Sequence, residues 1–161
     1  MDRFESLGEN GLTGRELRHQ GLLEYVEIDQ VKAINDRDKY HTIGTSALME
    51  CAGVLLVDSG RRVAGVTHVS FDFARRNWVD KLENKTMDLV KKANSKGGRQ
   101  YHLRWYNVTT GRRDYAFTRE ITQRAQKVSE QLKNSRKISQ VEYLLEEGFA
   151  YDLNDGLLPY Y

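Results

Sequence analysis

Residues 51–70 read CAGVLLVDSGRRVAGVTHVS, and this stretch decides the fold. Ala52 to Val57 is an unbroken apolar run, Asp58-Ser59-Gly60-Arg61-Arg62 supplies turn chemistry, and Val63 to Ser70 is apolar and β-branched again. Short apolar runs of this kind, bounded by Gly, Ser and Asp, form buried strands. The pair is therefore a β-hairpin closing near Ser59-Gly60. Antiparallel closure at that point returns the far end of the second strand to the start of the first. Cys51 and His68, seventeen positions apart in sequence, are thereby brought within reach of each other.

Upstream, Thr42 to Leu48 is short and apolar-rich, and Leu22 to Ile28 reads as a first strand or its lead-in. Residues 1–21 contain Gly8, Gly11, Gly14 and Gly21 and few large apolar side chains, so they are expected to be a mobile N-terminal segment. Within them Thr13 and Glu16 have the spacing of a capping box for a short helix. Downstream, Trp78, Leu82, Met87, Val90 and Ala93 predict a helix from about Arg76 to Ser95, stopped by Gly97-Gly98. Gln100 to Val108 alternates as a strand, and Thr109-Thr110-Gly111 is expected to turn it into a second hairpin through Asp114 to Phe117.

Ile121, Ala125, Val128 and Leu132 mark a further helix behind Thr118 as N-cap. Lys137 to Glu147 suits either a short helix or a strand, and Phe149 to Tyr161 reads as a last hairpin around Asn154-Asp155-Gly156. The order predicts one α+β domain over residues 22–161, a layered arrangement of mainly antiparallel or mixed β-sheet backed by two main α-helices.

Hydrophobic residues at 39% and charged residues at 30% exclude a disordered or collagen-like chain. The run Ala52 to Val57 is far shorter than the ~20 residues of a membrane-spanning helix, and no membrane partner is expected. Met1 to Ser6 lacks the apolar core of a secretory signal. The expected location is cytoplasmic, or a host cell reached by a non-classical secretion route. A single cysteine excludes an internal disulfide and a Cys-rich zinc site, and His19, His41, His68 and His102 show no paired ligand spacing. Neither a metal nor a cofactor is expected.

Charge is distributed unevenly. Lys91 to Lys137 holds thirteen Lys or Arg against three acids, whereas residues 138–161 hold five acids and no base. The basic middle reads first as a solvated helix face. The alternative is a non-catalytic module engaging an acidic protein or nucleic acid there, with Tyr101, Trp105, Tyr106 and Tyr115 stacking on bases.

A thiol is nucleophilic as thiolate and needs a neighbouring base or cation near neutral pH. His68 is the candidate base, able to return the proton to a leaving amine. A third polar group must hold the imidazole in one tautomer. Thr45, six residues before Cys51, is the candidate; Thr67 points to the opposite face of a regular strand.

The residues Cys51-Ala52-Gly53-Val54-Leu55-Leu56-Val57-Asp58 and Ala64-Gly65-Val66-Thr67-His68-Val69, with Thr45 six positions before Cys51, resemble the CheD family of chemoreceptor glutamine deamidases. The motif covers residues 42–70, and the order of elements extends it more weakly over residues 40–161. The cytotoxic necrotizing factor type of toxin deamidase shares this catalytic logic. The resemblance implies a CheD-like fold and a catalytic triad of Cys51, His68 and Thr45. It also implies hydrolysis of a glutamine side chain in a partner protein through a Cys51 thioester, with transglutamination open to the same intermediate. An effector or toxin acting on a host protein fits as well as a housekeeping enzyme. The chain departs from the family at Met49-Glu50, where small Gly and Ser residues usually precede the nucleophile, and it lacks the extended Pro-containing segment often seen after the family's His, its only proline being Pro159.

Overall fold

The computed structural model describes residues 11–71, 78–109 and 115–161. In chain order the strands are β1 Glu24–Tyr25, β2 Val31–Asn35, β3 Thr42–Thr45, β4 Cys51–Asp58, β5 Val63–Ser70, β6 Tyr101–Tyr106, β7 Ile138–Leu144, β8 Phe149–Asp152 and β9 Gly156–Pro159. The helices are α1 Gly14–His19, α2 Trp78–Ser95 and α3 Tyr115–Asn134. Two sheets result, one ordered β2-β5-β4-β6-β7 and the other β1-β3-β8-β9.

The larger sheet is the middle layer. One of its faces, with Val54, Leu56, Leu103 and Trp105, packs on Leu82, Leu89, Val128 and Leu132 of α2 and α3. Its other face, with Leu55, Val57, Val66 and Tyr106, packs on Ile43, Phe149 and Tyr151 of the smaller sheet. Covering both faces explains why β4 and β5 read as continuous apolar runs instead of alternating. The result is a layered α+β domain, as the sequence predicts, with the sheet divided in two. Pairing is mixed, since β1 runs parallel to β3 and β6 runs parallel to β7.

The β4–β5 hairpin has the predicted limits to within a residue, and the β8–β9 hairpin turns through Gly156 at φ +83°. Several expectations are corrected. The Tyr115 to Phe117 segment, expected in a second hairpin, opens α3, so Thr118 lies inside that helix and not at its N-cap. The physical reason is period: Phe117 stands four residues before Ile121 and continues the helical series backwards, which outweighs the strand preference of Tyr and Phe. The turn expected at Thr110-Gly111 lies outside the described residues, as do Arg76 and Asn77 at the start of the first long helix. Lys137 to Glu147 resolves as strand β7, which pairs with β6. Strand β2 goes unannounced in the sequence because its polar Lys32 and Asn35 interrupt the apolar pattern at a sheet edge.

Residues 11–21, expected as part of a mobile lead, hold a capped helix. Thr13 and Glu16 form the reciprocal capping box. Leu17 is fully buried with Leu23, Ala150 and Tyr160 on the outer face of the smaller sheet. Among the described residues no helix is long and apolar enough to cross a membrane.

Candidate active site

The site forms where the two sheets face each other. In the β4–β5 ladder Cys51 stands opposite Ser70 and Gly53 opposite His68. Directly opposed residues share a face, so Cys51 and His68 project to the same side as diagonal neighbours, a separation that a long side chain spans. Thr67 projects to the other side and donates to the Gln30 carbonyl at 2.8 Å.

Thr45 enters from the smaller sheet. Its Oγ1 lies 2.7 Å from the Val26 carbonyl and 2.8 Å from His68 Nδ1. A carbonyl only accepts, so the single hydroxyl proton goes to Val26 and the Thr45 oxygen is left as an acceptor toward the ring. His68 Nδ1 must then carry the proton, and Nε2 is the basic nitrogen. His68 Nε2 is buried and makes no hydrogen bond among the described residues. Thr45 is fully buried and His68 is 1% exposed, while Cys51 is half-buried at the solvent end of the row. The three residues singled out from sequence are thus brought to one place, Thr45 and His68 in direct contact and Cys51 beside them on the same face.

Burial lowers the His68 pKa from the ordinary imidazole value, and the Asp29 carboxylate offsets part of that shift. The ring is therefore neutral near pH 7, the form a general base requires.

Gly53 makes room for this arrangement. A Cβ there would lie 2.7 Å from Phe149 Cε1 and 3.1 Å from Leu48 Cδ1. The Phe149 ring fills that space and stacks on Tyr106 with centroids 3.9 Å apart. These two aromatics form the apolar floor against which Cys51 packs.

The loop before Cys51 is pinned at several points. Ala47 adopts φ +59°, Leu48 N–H donates to the Glu147 carbonyl at 2.9 Å, and Cys51 N–H donates to the Leu48 carbonyl at 3.2 Å. Asn107, at φ +61°, donates through Nδ2 to the Leu48 and Glu146 carbonyls at 3.0 and 2.6 Å and accepts from Glu146 N–H at 3.0 Å. Met49 and Glu50 are exposed, so the carboxylate next to the thiol faces water.

On the other side of the hairpin, Asp29 N–H donates to the His68 carbonyl at 2.6 Å. The Asp29 carboxylate accepts from Ser70 N–H at 3.1 Å and from Lys81 Nζ at 2.7 Å. Partial burial pushes the Asp29 carboxyl up, but the Lys81 and Ser70 bonds outweigh it and hold it below the usual carboxylate range. Val26, Asn107 and Asp29 are the supporting residues that sequence reasoning missed. Only Asn107 carried a trace, as the polar residue ending an alternating strand, since Asn tolerates positive φ.

Three of the four aromatics proposed to stack on bases, Tyr101, Trp105 and Tyr106, are buried, and the Trp105 indole donates to Ser129 Oγ at 2.8 Å; the side chain of the fourth, Tyr115, lies outside the described residues. No cluster of three or more His, Cys, Asp or Glu able to hold a metal is present among the described residues. No family model matches the chain, and no curated protein matches it in sequence.

Proposed function

We propose that the chain is a cysteine-dependent amidohydrolase acting on a glutamine side chain of a partner protein, a CheD-like deamidase in its chemistry. The observation that carries this is the Thr45–His68 contact, whose hydrogen-bond polarity leaves Nε2 as the basic nitrogen on the same face as the Cys51 thiol. In this mechanism His68 Nε2 takes the thiol proton as Sγ attacks the carboxamide carbon. The C–N bond then breaks and the same proton leaves on ammonia. Water, deprotonated by His68, cleaves the thioester to glutamate and restores the thiol. The burial of Tyr101, Trp105 and Tyr106 favours this assignment over a nucleic-acid module.

The test begins with the thiol. Cys51 alkylation by iodoacetamide is followed from pH 5 to 10 in the wild type, His68→Ala and Thr45→Ala. The expected result is alkylation that stays fast well below the ~8.5 of a free thiol, because His68 takes the proton as the thiol attacks, and that slows to the profile of a free thiol in both variants. Candidate partner proteins are then searched by mass spectrometry for a gain of about 1 Da at glutamine, lost in Cys51→Ala. A thiol whose reactivity is unmoved by either substitution sinks the assignment.

A further inference from the structure

A cleft of about 640 Å³ lies against the loop that leads into Cys51, although Cys51 itself does not line it. Tyr106 and Phe149, which floor the site, also line it, as does Met49, two residues before Cys51. It is bounded by the ends of the two edge strands, Leu144 and Leu145 at the end of β7 and Leu157 to Pro159 in β9.

Two features of this cleft point to an occupant. The first is unsatisfied apolar surface: Met49 is 57% exposed, Leu145 60%, Leu157 43% and Tyr161 59%, all in one patch. Apolar side chains gathered around a concavity mark an interaction surface more often than scattered ones do. The second is charge. Glu146 is exposed and lines the cleft, Glu50 is exposed next to Met49, and among the described residues no Lys, Arg or His lines it. Arg15 and Arg18 belong to a separate cleft across Tyr160 and Tyr161. Most of the described bases of residues 91–137 lie on α2 and α3 or just beyond their ends, on the far face of the larger sheet.

We infer that this cleft seats a segment of the substrate protein in which apolar side chains are flanked by Lys or Arg, delivering the glutamine to Cys51. The inference rests on the deamidase assignment for the purpose of the binding, though not for its detection. The apolar side chains fill the space between Met49, Leu145 and Leu157, and the cations meet the acidic rim, which also repels acidic segments.

The experiment uses the full chain carrying Cys51→Ala, so that binding is read without turnover. Three fluorescein-labelled twelve-residue peptides are titrated by anisotropy, each with a central glutamine: one of Leu and Lys, one with Glu replacing every Lys, and one with Ser replacing every Leu. The Leu/Lys peptide is expected to bind at least about tenfold more tightly than either of the others and to weaken with added salt. Glu146→Gln and Leu145→Ser, added separately, are each expected to weaken it about two- to fivefold with the melting temperature little changed. Equal affinity for all three peptides, or affinity indifferent to both substitutions, overturns the inference. So does a concentration-dependent dimer in sedimentation velocity that Leu145→Ser dissolves, because a second copy would then occupy the cleft. Selective binding with an unreactive Cys51 in the wild type would instead refute the deamidase assignment. A reactive, His68-dependent thiol without selective binding refutes the cleft alone.

Discussion

Thr45→Val removes one oxygen while keeping shape, and its consequences follow from two hydrogen bonds. Val26, Thr45 and His68 are all essentially excluded from water, so the Val26 carbonyl and His68 Nδ1–H lose their partners where water cannot replace them. Each buried group left unsatisfied costs about 1–3 kcal/mol, so a loss of about 2–5 kcal/mol is expected. For a chain of this length that lowers the melting temperature by roughly 5–15 °C. Thr45→Ser keeps both bonds, loses one methyl, and should stay within about 1 kcal/mol of wild type. The chemical effect is read separately by long-range ¹H–¹⁵N correlation on histidine-labelled protein. Wild type and Thr45→Ser are expected to show the Nδ1–H tautomer of His68, and Thr45→Val is expected to lose its dominance. Thiol reactivity should fall with it, by about 10²-fold if most of the base contribution depends on the tautomer. An Nε2–H tautomer in the wild type, or a Thr45→Val protein as stable and reactive as Thr45→Ser, would falsify the argument.

Three other perturbations follow from the same geometry. Gly53→Ala drives a methyl against the Phe149 ring and should cost about 1–3 kcal/mol in urea denaturation, with Phe149→Leu recovering part of the loss; wild-type stability in the single variant would refute the close fit. Because the His68 pKa is lowered on folding, the unfolded chain binds the extra proton first; the contribution to stability is full above the unfolded value of ~6.5 and is lost as pH falls through the lower folded value. Unfolding free energies compared between wild type and His68→Gln over pH 4–8 should therefore converge on the acid side, and parallel curves would contradict the desolvated ring. Asp29→Asn keeps a residue tolerant of φ +63° and the N–H bond to the His68 carbonyl but removes the charge that raises the His68 pKa, so a ¹H–¹⁵N titration should show that pKa lower still. An unchanged or raised value would mean that Asp29 acts only through structure.

The central hairpin was legible because three signals agreed there: apolar runs of strand length, a turn of Asp, Ser and Gly, and polar residues at both ends. The same register made Cys51 and His68 neighbours without any knowledge of the rest of the chain. Thr45 was harder, because its contact is made between sheets and depends on how they stack, which strand periodicity does not encode. Val26 and Asp29 were invisible for a further reason. Val26 acts through its carbonyl and Asp29 partly through its N–H, and backbone groups leave no mark in side-chain identity. The error at Tyr115 to Phe117 has another origin, in that aromatic residues favour strands only where a sheet is present to receive them.

The neutral state of His68 has a consequence for the chemistry. A dry imidazole held in one tautomer by a neutral hydroxyl does not stabilise a resting thiolate–imidazolium pair as a carboxylate partner would. Proton removal must then accompany attack, and the negative charge developing on the substrate oxygen needs its own donors. The nucleophile's N–H is the usual first candidate, but here it is spent on the Leu48 carbonyl, a carbonyl that Asn107 also holds. The next peptides along the loop, those of Met49 and Glu50, are exposed, at the positions where small residues would give the backbone most freedom. Under the proposed deamidation, the 48–51 turn, held at Leu48 from both sides and exposed over the next two residues, is the segment expected to set the rate. Loosening its anchor with Asn107→Ala should accordingly lower kcat of deamidation while the His68-dependent alkylation of Cys51 survives. Equal loss of both would place Asn107 in the support of the fold instead.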